Sequence, residues 1–354
     1  MQPPAEHTHD GHTLKHLRRL YAPQHREFAF RGDTRDEVKR WQNEARPALR
    51  RLLGLQRMEQ ELQEHRSTVE LDEPERHEGF TRRLGRRETE PAWWMEFWLL
   101  RPEGDGPFPL ALAPHGHEAR GHDTYAGAIG DDEQRRQRIA EKDADVAVQA
   151  ARRGFLALAP NMRGFEDNLI PDVNERHGAR GCRSELIHAL LAGRTAIGER
   201  VWDLQRLIDW AAALPEVDAD RVLMLGNSGG GMATTYAAAC DTRVTAAIPS
   251  CSFVTYVGQN GIVHHCDCNT VPGIYRFGEF SDVAGLIAPR HLLIVTGRDD
   301  TLFPPAEVER AVDGVRRIYD AAGVAERFEH RWGERGHQFY SDLMWPWVET
   351  AMTA

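Results

Sequence analysis

From residue 109 onward, short apolar runs alternate with segments whose apolar residues recur every three to four positions. The runs at 109–113, 155–159, 221–225, 244–248 and 291–295 have the length and aliphatic content of buried strands. The segments at 144–153, 199–214, 232–240 and 306–322 keep helical spacing, and Leu204, Leu207, Ile208 and Ala211 form one stripe in the second of them. This alternation predicts an α/β fold with a mostly parallel sheet and helices on both faces. One more strand is expected over 328–332, followed by a C-terminal helix.

The chain before residue 109 has a different character. Val38, Trp41, Ala45, Leu49, Leu52 and Leu53 keep helical spacing after a capping residue at Asp33 or Thr34, and Gly54 supplies a stop. This predicts an amphipathic helix docked on the main body. Residues 67–101 are rich in β-branched and aromatic residues punctuated by turn signals, which predicts antiparallel strands leading into the sheet. The expected organisation is an arm and helical extension over 1–66 and a catalytic domain over 67–354. The arm carries His7, His9, His12 and His16 and reads as a surface or a contact in a homo-oligomer. Two longer segments, 116–142 and 250–282, follow the carboxyl ends of strands, where open α/β sheets bind ligands, and are expected to wall a pocket.

Composition narrows the function classes. A formal net charge of -10 argues against a nucleic-acid partner. Five cysteines at irregular positions do not form a disulfide framework, and no apolar run is long enough for a signal or a membrane span. A cytoplasmic protein with no membrane partner is expected.

The chemistry concentrates on Gly226-Asn227-Ser228-Gly229-Gly230. This G-x-S-x-G lies between a strand and a small-residue helix, the context of a nucleophile elbow. The chain must reverse with Ser228 at the apex, so the crowded neighbours must lack a Cβ. A serine hydroxyl needs a base within hydrogen-bond reach, itself oriented by a carboxylate. In this architecture the partners follow in the order acid, then histidine. The loop after 291–295 offers Asp299 and Asp300. Of 17 histidines, His337 alone combines the chain order, a loop position and a preceding glycine.

Two residue groups could instead suggest a metal. His115, His117 and His122 are clustered in sequence, but their loop is expected to serve the serine chemistry. Cys266-x-Cys268 lacks the usual C-x₂₋₄-C spacing and a second cysteine pair, so the run from His264 to Cys268 is expected to line the pocket or pack. No metal and no organic cofactor is predicted.

Taken together, APHGH (113–117), LALAPNMRGFED (156–167), VWDLQRLIDW (201–210), VDADRVLMLGNSGGG, HHCDCNTVPG (264–273), IAPRHLLIVTGRDDTLFP (287–304) and RGHQF resemble the α/β-hydrolase superfamily. Within it the resemblance is to the acetyl xylan esterase and dienelactone hydrolase-like group. It implies hydrolysis of a carboxylic ester, of acetyl- or methyl-ester type, on a sugar or another small molecule. It also implies Asp300 as the acid, because Gly297-x-x-Asp300 resembles the family's acid loop. The H-G-x match implies an oxyanion hole of the His117 and Gly229 backbone amides. Arg163 could meet a substrate carboxylate or form a structural salt bridge, and His264 and His265 are candidate substrate contacts. The rival functions are a prolyl-oligopeptidase-like peptidase and a noncatalytic binding protein on a hydrolase scaffold.

Overall fold

A computed structural model describes residues 15–17, 19–165, 181–258, 261–263 and 265–352. Ten strands form one sheet. They are β1 (Val69–Leu71), β2 (Glu75–His77), β3 (Phe80–Glu90), β4 (Trp93–Pro102), β5 (Phe108–Leu112), β6 (Leu156–Pro160), β7 (Val217–Asn227), β8 (Ala246–Ser250), β9 (His291–Gly297) and β10 (Phe328–Gly333). The spatial order is β1-β3-β4-β6-β5-β7-β8-β9-β10, with β2 beside β3. The first four strands pair antiparallel, β4 meets β6 antiparallel, and the remaining pairs are parallel. From β5 the chain runs to β6 on one side and later returns to β7 on the other. The loops after β5 and β7 therefore leave the same sheet edge at a point where strand order reverses, the place where such sheets form crevices.

The two-residue period of a strand divides the core in two. Val222, Met224, Leu292 and Ile294 face one apolar layer, while Leu223, Leu225, Leu293 and Val295 face the other. On the first face lie α1 (Arg35–Leu52), α4 (Ala196–Ala211), α5 (Gly229–Cys240) and α6 (Pro305–Ala322). On the second lie α2 (Val146–Ala151) and α7 (Ser341–Ala351). Helix α3 (Gly181–Leu191) has no counterpart in the periodicity reading, because its buried residues, Cys182, Glu185, Leu186 and Ala189, mix polar with apolar. Helix α4 starts at Ala196, earlier than its stripe suggests, because the Thr195 side chain caps Gly198 N at 3.0 Å. The two long segments after β5 and β8 contain short helices and a two-stranded ribbon rather than plain loop.

The N-terminal helix is joined to this core by more than apolar contact. Thr34 and Glu37 form a capping box at its start, and Val38, Ala45 and Leu49 are buried. On its inward side Arg46 Nε donates to Ala239 O at 2.9 Å and Arg50 Nη1 to Cys240 O at 3.0 Å. Arg290 Nη2 donates to Ala238 O at 2.7 Å and Nη1 to Asp241 O at 2.9 Å. Three cations thus satisfy the orphan carbonyls and the negative dipole end of α5. Burial pulls the Arg290 guanidinium down to about 10.

His330, on the edge strand β10, contributes a pH-dependent term. Burial, with Arg316 and Arg298 nearby, pushes its imidazole down to about 4 from its ordinary 6.5. The unfolded chain therefore takes up the proton first as pH falls. Stability from this site is complete above pH ~6.5 and is lost as pH falls toward ~4, by up to about 3 kcal/mol. Denaturant melts of wild type and His330→Gln at pH 7 and 5 check this: the wild type should lose more stability over that interval than the variant. Equal losses would contradict it.

Candidate active site

The strand β7 ends at Asn227 and α5 begins at Gly229, leaving Ser228 alone to turn the chain. Its backbone sits at φ 58° and ψ -122°, a conformation that is costly for a residue with a side chain. Ser228 N donates to Ser250 O at 2.9 Å, and Ser228 O accepts from Met232 N at 3.0 Å, so the turn is held from both sides. The flanking glycines are required by proximity. A Cβ on Gly230 would lie 1.9 Å from Pro114 O, and one on Gly226 2.4 Å from Gly230 O. The helix-start amides of α5 lie beside the half-buried serine, with the positive dipole end behind them.

Two loops further along the same edge bring a carboxylate and an imidazole together. Asp300, after β9, is buried, whereas Asp299 is exposed. Asp300 Oδ2 lies 2.7 Å from His337 Nδ1, and its Oδ1 accepts from Leu302 N at 3.0 Å. His337 follows β10 in a loop pinned by its neighbours: Tyr340 Oη donates to Gly336 O at 2.6 Å and Ser250 Oγ to Gln338 O at 3.0 Å. With Nδ1 engaged by the carboxylate, the other ring nitrogen is left for chemistry. Ser228 and His337 line one cavity of about 130 Å³ with Gly116, His117, Tyr125 and Phe339.

The loop after β5 closes this cavity. The Cβ position of Gly116 lies 3.0 Å from Ser228 Cβ and 3.2 Å from Gly229 N, so the loop lies against the elbow. His115 is fully buried and structural: its Nε2 accepts from Met162 N at 3.0 Å, which leaves Nδ1 to donate to Gly116 O at 2.8 Å. That ring anchors the loop to the start of the segment after β6.

No protein-family model matches the chain. Among curated proteins it is 25% identical to "Putative hydrolase YtaP" of Bacillus subtilis (strain 168) over 263 residues, covering 72% of this chain and 80% of that protein. Solved structures align over nearly the whole length. One is described as a putative acetyl xylan esterase from Bacteroides fragilis NCTC 9343, with TM-score 0.69, 17% identity, and 94% of this chain and 83% of that one covered. Another is Methylesterase BT1017, with TM-score 0.65, 20% identity, and 94% and 65% covered. A glucuronoyl esterase from Solibacter usitatus aligns with TM-score 0.60 and 14% identity over 88% and 92%. The chain has the α/β-hydrolase fold.

Of the two roles open to Arg163, the structure shows the salt bridge. Its Nε and Nη2 donate to Asp203 at 2.9 and 2.7 Å, its Nη1 donates to Glu90 at 2.7 Å, and its plane covers Trp93. The guanidinium is committed to carboxylates on α4 and β3, because a buried cation must be paired. His264 lies outside the described residues. His265 packs among Tyr256, Phe280 and Phe303, and Phe303 in turn neighbours His337.

Several cavity residues have no motif. Glu118, Arg138, Lys142 and Tyr125 all line it, and Arg138 pairs with Glu118 at 2.6 Å. Their position in the long segment after β5 is the one signal available in sequence. The Tyr125 phenol is hydrogen-bonded to the backbone at Gly116 and Asn227, and burial holds it well above its ordinary pKa, so it remains a neutral brace between the two loops. The cysteines depart further from expectation. Cys266 and Cys268 do not only pack or line the pocket; they converge with Cys182 and the His117 ring. Among the described residues no helix is long and apolar enough to cross a membrane.

Proposed function

We propose that this α/β-hydrolase cleaves small carboxylic esters through an acyl-enzyme on Ser228. The observation that carries the reading is the 2.7 Å contact of His337 Nδ1 with buried Asp300, on a histidine that shares a cavity with the elbow serine. Ser228 Oγ attacks the ester carbonyl as His337 Nε2 takes its proton. Asp300 holds the ring in one orientation and stabilises the imidazolium. The amides of Gly229 and His117 hold the tetrahedral oxyanion. His337 then protonates the departing alcohol, activates a water, and the acid is released. The solved structures of similar fold that carry esterase names support the ester over the amide. The peptidase alternative draws no support from the extension, whose helix shares the first core layer with the sheet.

The acyl group is small. A cavity of about 130 Å³ beside the serine is well below the range of about 300–1,000 Å³ typical of drug-sized ligand sites. Acetyl esters, rather than long acyl chains, fit that limit. The test is a series of p-nitrophenyl esters from acetate to octanoate. We expect kcat/KM to fall by more than about 10-fold across the series, since each methylene must be turned away from the cavity. A rising profile would overturn the small-acyl assignment. A serine-reactive fluorophosphonate should attach to the peptide carrying Ser228, and labelling elsewhere would overturn the nucleophile.

A further inference from the structure

Four potential ligands converge beside the loop that follows β5. One ring nitrogen of His117 and the sulfurs of Cys182, Cys266 and Cys268 all lie within 4.8 Å of one another. The Cys182 and Cys266 sulfurs are 3.6 Å apart, and Cys268 Sγ is 3.4 Å from His117 Nε2. A tetrahedral zinc with Zn–S of about 2.3 Å and Zn–N of about 2.0–2.1 Å has S···S edges of about 3.8 Å and S···N edges of about 3.6 Å. The observed spacings are those of a ligand shell, whereas a disulfide requires the two sulfurs to stand at about 2.05 Å.

The surroundings also suit a thiolate. Arg200, fully buried, donates from Nη1 to Cys268 Sγ at 3.1 Å. Its Nε donates to Arg163 O at 2.8 Å, its other arm meets Glu185 at 3.3 Å, and its plane lies over Phe165. A fixed guanidinium donor is the kind of outer partner that stabilises a coordinated sulfur. Cys182 and Cys268 are buried, and Cys266 and His117 close the outer side.

We propose that His117, Cys182, Cys266 and Cys268 form a zinc site. Three soft sulfurs and one imidazole within reach of a single ion favour zinc among the common divalent ions. Binding releases three thiol protons and changes no oxidation state, giving a Cys₃His centre of net charge -1. With four protein ligands the shell is closed, so the ion is structural. It clamps the loop after β5, the start of α3 and the turn at 265–270 together, beside the cavity that His117 lines. If the ester reading holds, it also fixes the residue whose backbone amide faces the oxyanion. Zinc binding itself does not depend on that reading.

The test uses the full chain and reads metal, not turnover. Wild type purified without chelator should carry one zinc per chain by elemental analysis. After chelation, cobalt should restore a stoichiometric visible band of tetrahedral thiolate type. Cys182→Ser and Cys268→Ser should lose stoichiometric metal while keeping the wild-type circular dichroism. Should those variants fail to fold, alkylation of wild type decides: added zinc should protect Cys182, Cys266 and Cys268 while Cys240 and Cys251 react at an unchanged rate. The proposal is overturned if folded wild type takes up neither zinc nor cobalt, if zinc protects none of the three thiols, or if the native mass is two hydrogens short because two of them are joined.

Discussion

Ser228→Ala is expected to lower kcat on p-nitrophenyl acetate by roughly 10⁶-fold while leaving KM within a few-fold of wild type. The magnitude follows from the loss of the covalent route: His337 and Asp300 would remain paired but would have no hydroxyl to deprotonate. The residual rate would come from the helix-start amides and substrate placement, which stay intact because alanine adds no volume at the apex. The backbone strain at Ser228 is expected to persist, since the turn is held by Ser250 O and Met232 N rather than by the hydroxyl. Steady-state kinetics on wild type and variant prepared side by side measure this. A variant retaining a tenth of the wild-type rate would remove Ser228 from the mechanism and return the binding-protein alternative to consideration.

The second large effect separates two adjacent carboxylates. Asp300→Asn should reduce kcat by about 10⁴-fold, because a neutral amide can present its N–H to His337 and stabilise the wrong tautomer. Asp299→Asn should change it by no more than a few-fold. The contrast rests on position: Asp300 is buried with both oxygens engaged, one by His337 Nδ1 and one by Leu302 N, whereas the Asp299 side chain is exposed. Circular dichroism separates this from simple destabilisation: both variants should keep the wild-type spectrum while only Asp300→Asn loses turnover. The reverse ranking of the two variants would move the acid to Asp299.

Much of this architecture is legible along the chain for definite reasons. The strands from β5 to β9 each contain a buried apolar run, in β7 only from Val222 onward, and α4 carries the stripe from Leu204 to Ala211. The elbow is legible because steric crowding permits so few residue types around Ser228. Residue types alone leave Asp299 and Asp300 equivalent; burial distinguishes them. Helix α3 escapes the pattern because Glu185 is buried within it against Arg200, which breaks the apolar stripe. Arg163 was open to two readings since its partners, Asp203 and Glu90, lie 40 and 73 residues away. The cysteine cluster is the extreme case. Cys182 and Cys266 are 84 residues apart and His117 and Cys268 are 151 apart, so no local spacing records their meeting.

The three arginines on the carbonyl end of α5 have an evolutionary consequence. The twelve-residue helix spans about 18 Å, with Ser228 at one end and the donors of the N-terminal helix at the other. A recombination event that replaced the first sixty residues with those of a distant relative would leave carbonyls 239 and 240 facing foreign side chains. The helix that presents the serine would then lose its seat even though no residue near the cavity had changed. The extension is therefore expected to be exchangeable only for one that supplies donors where Arg46 and Arg50 stand.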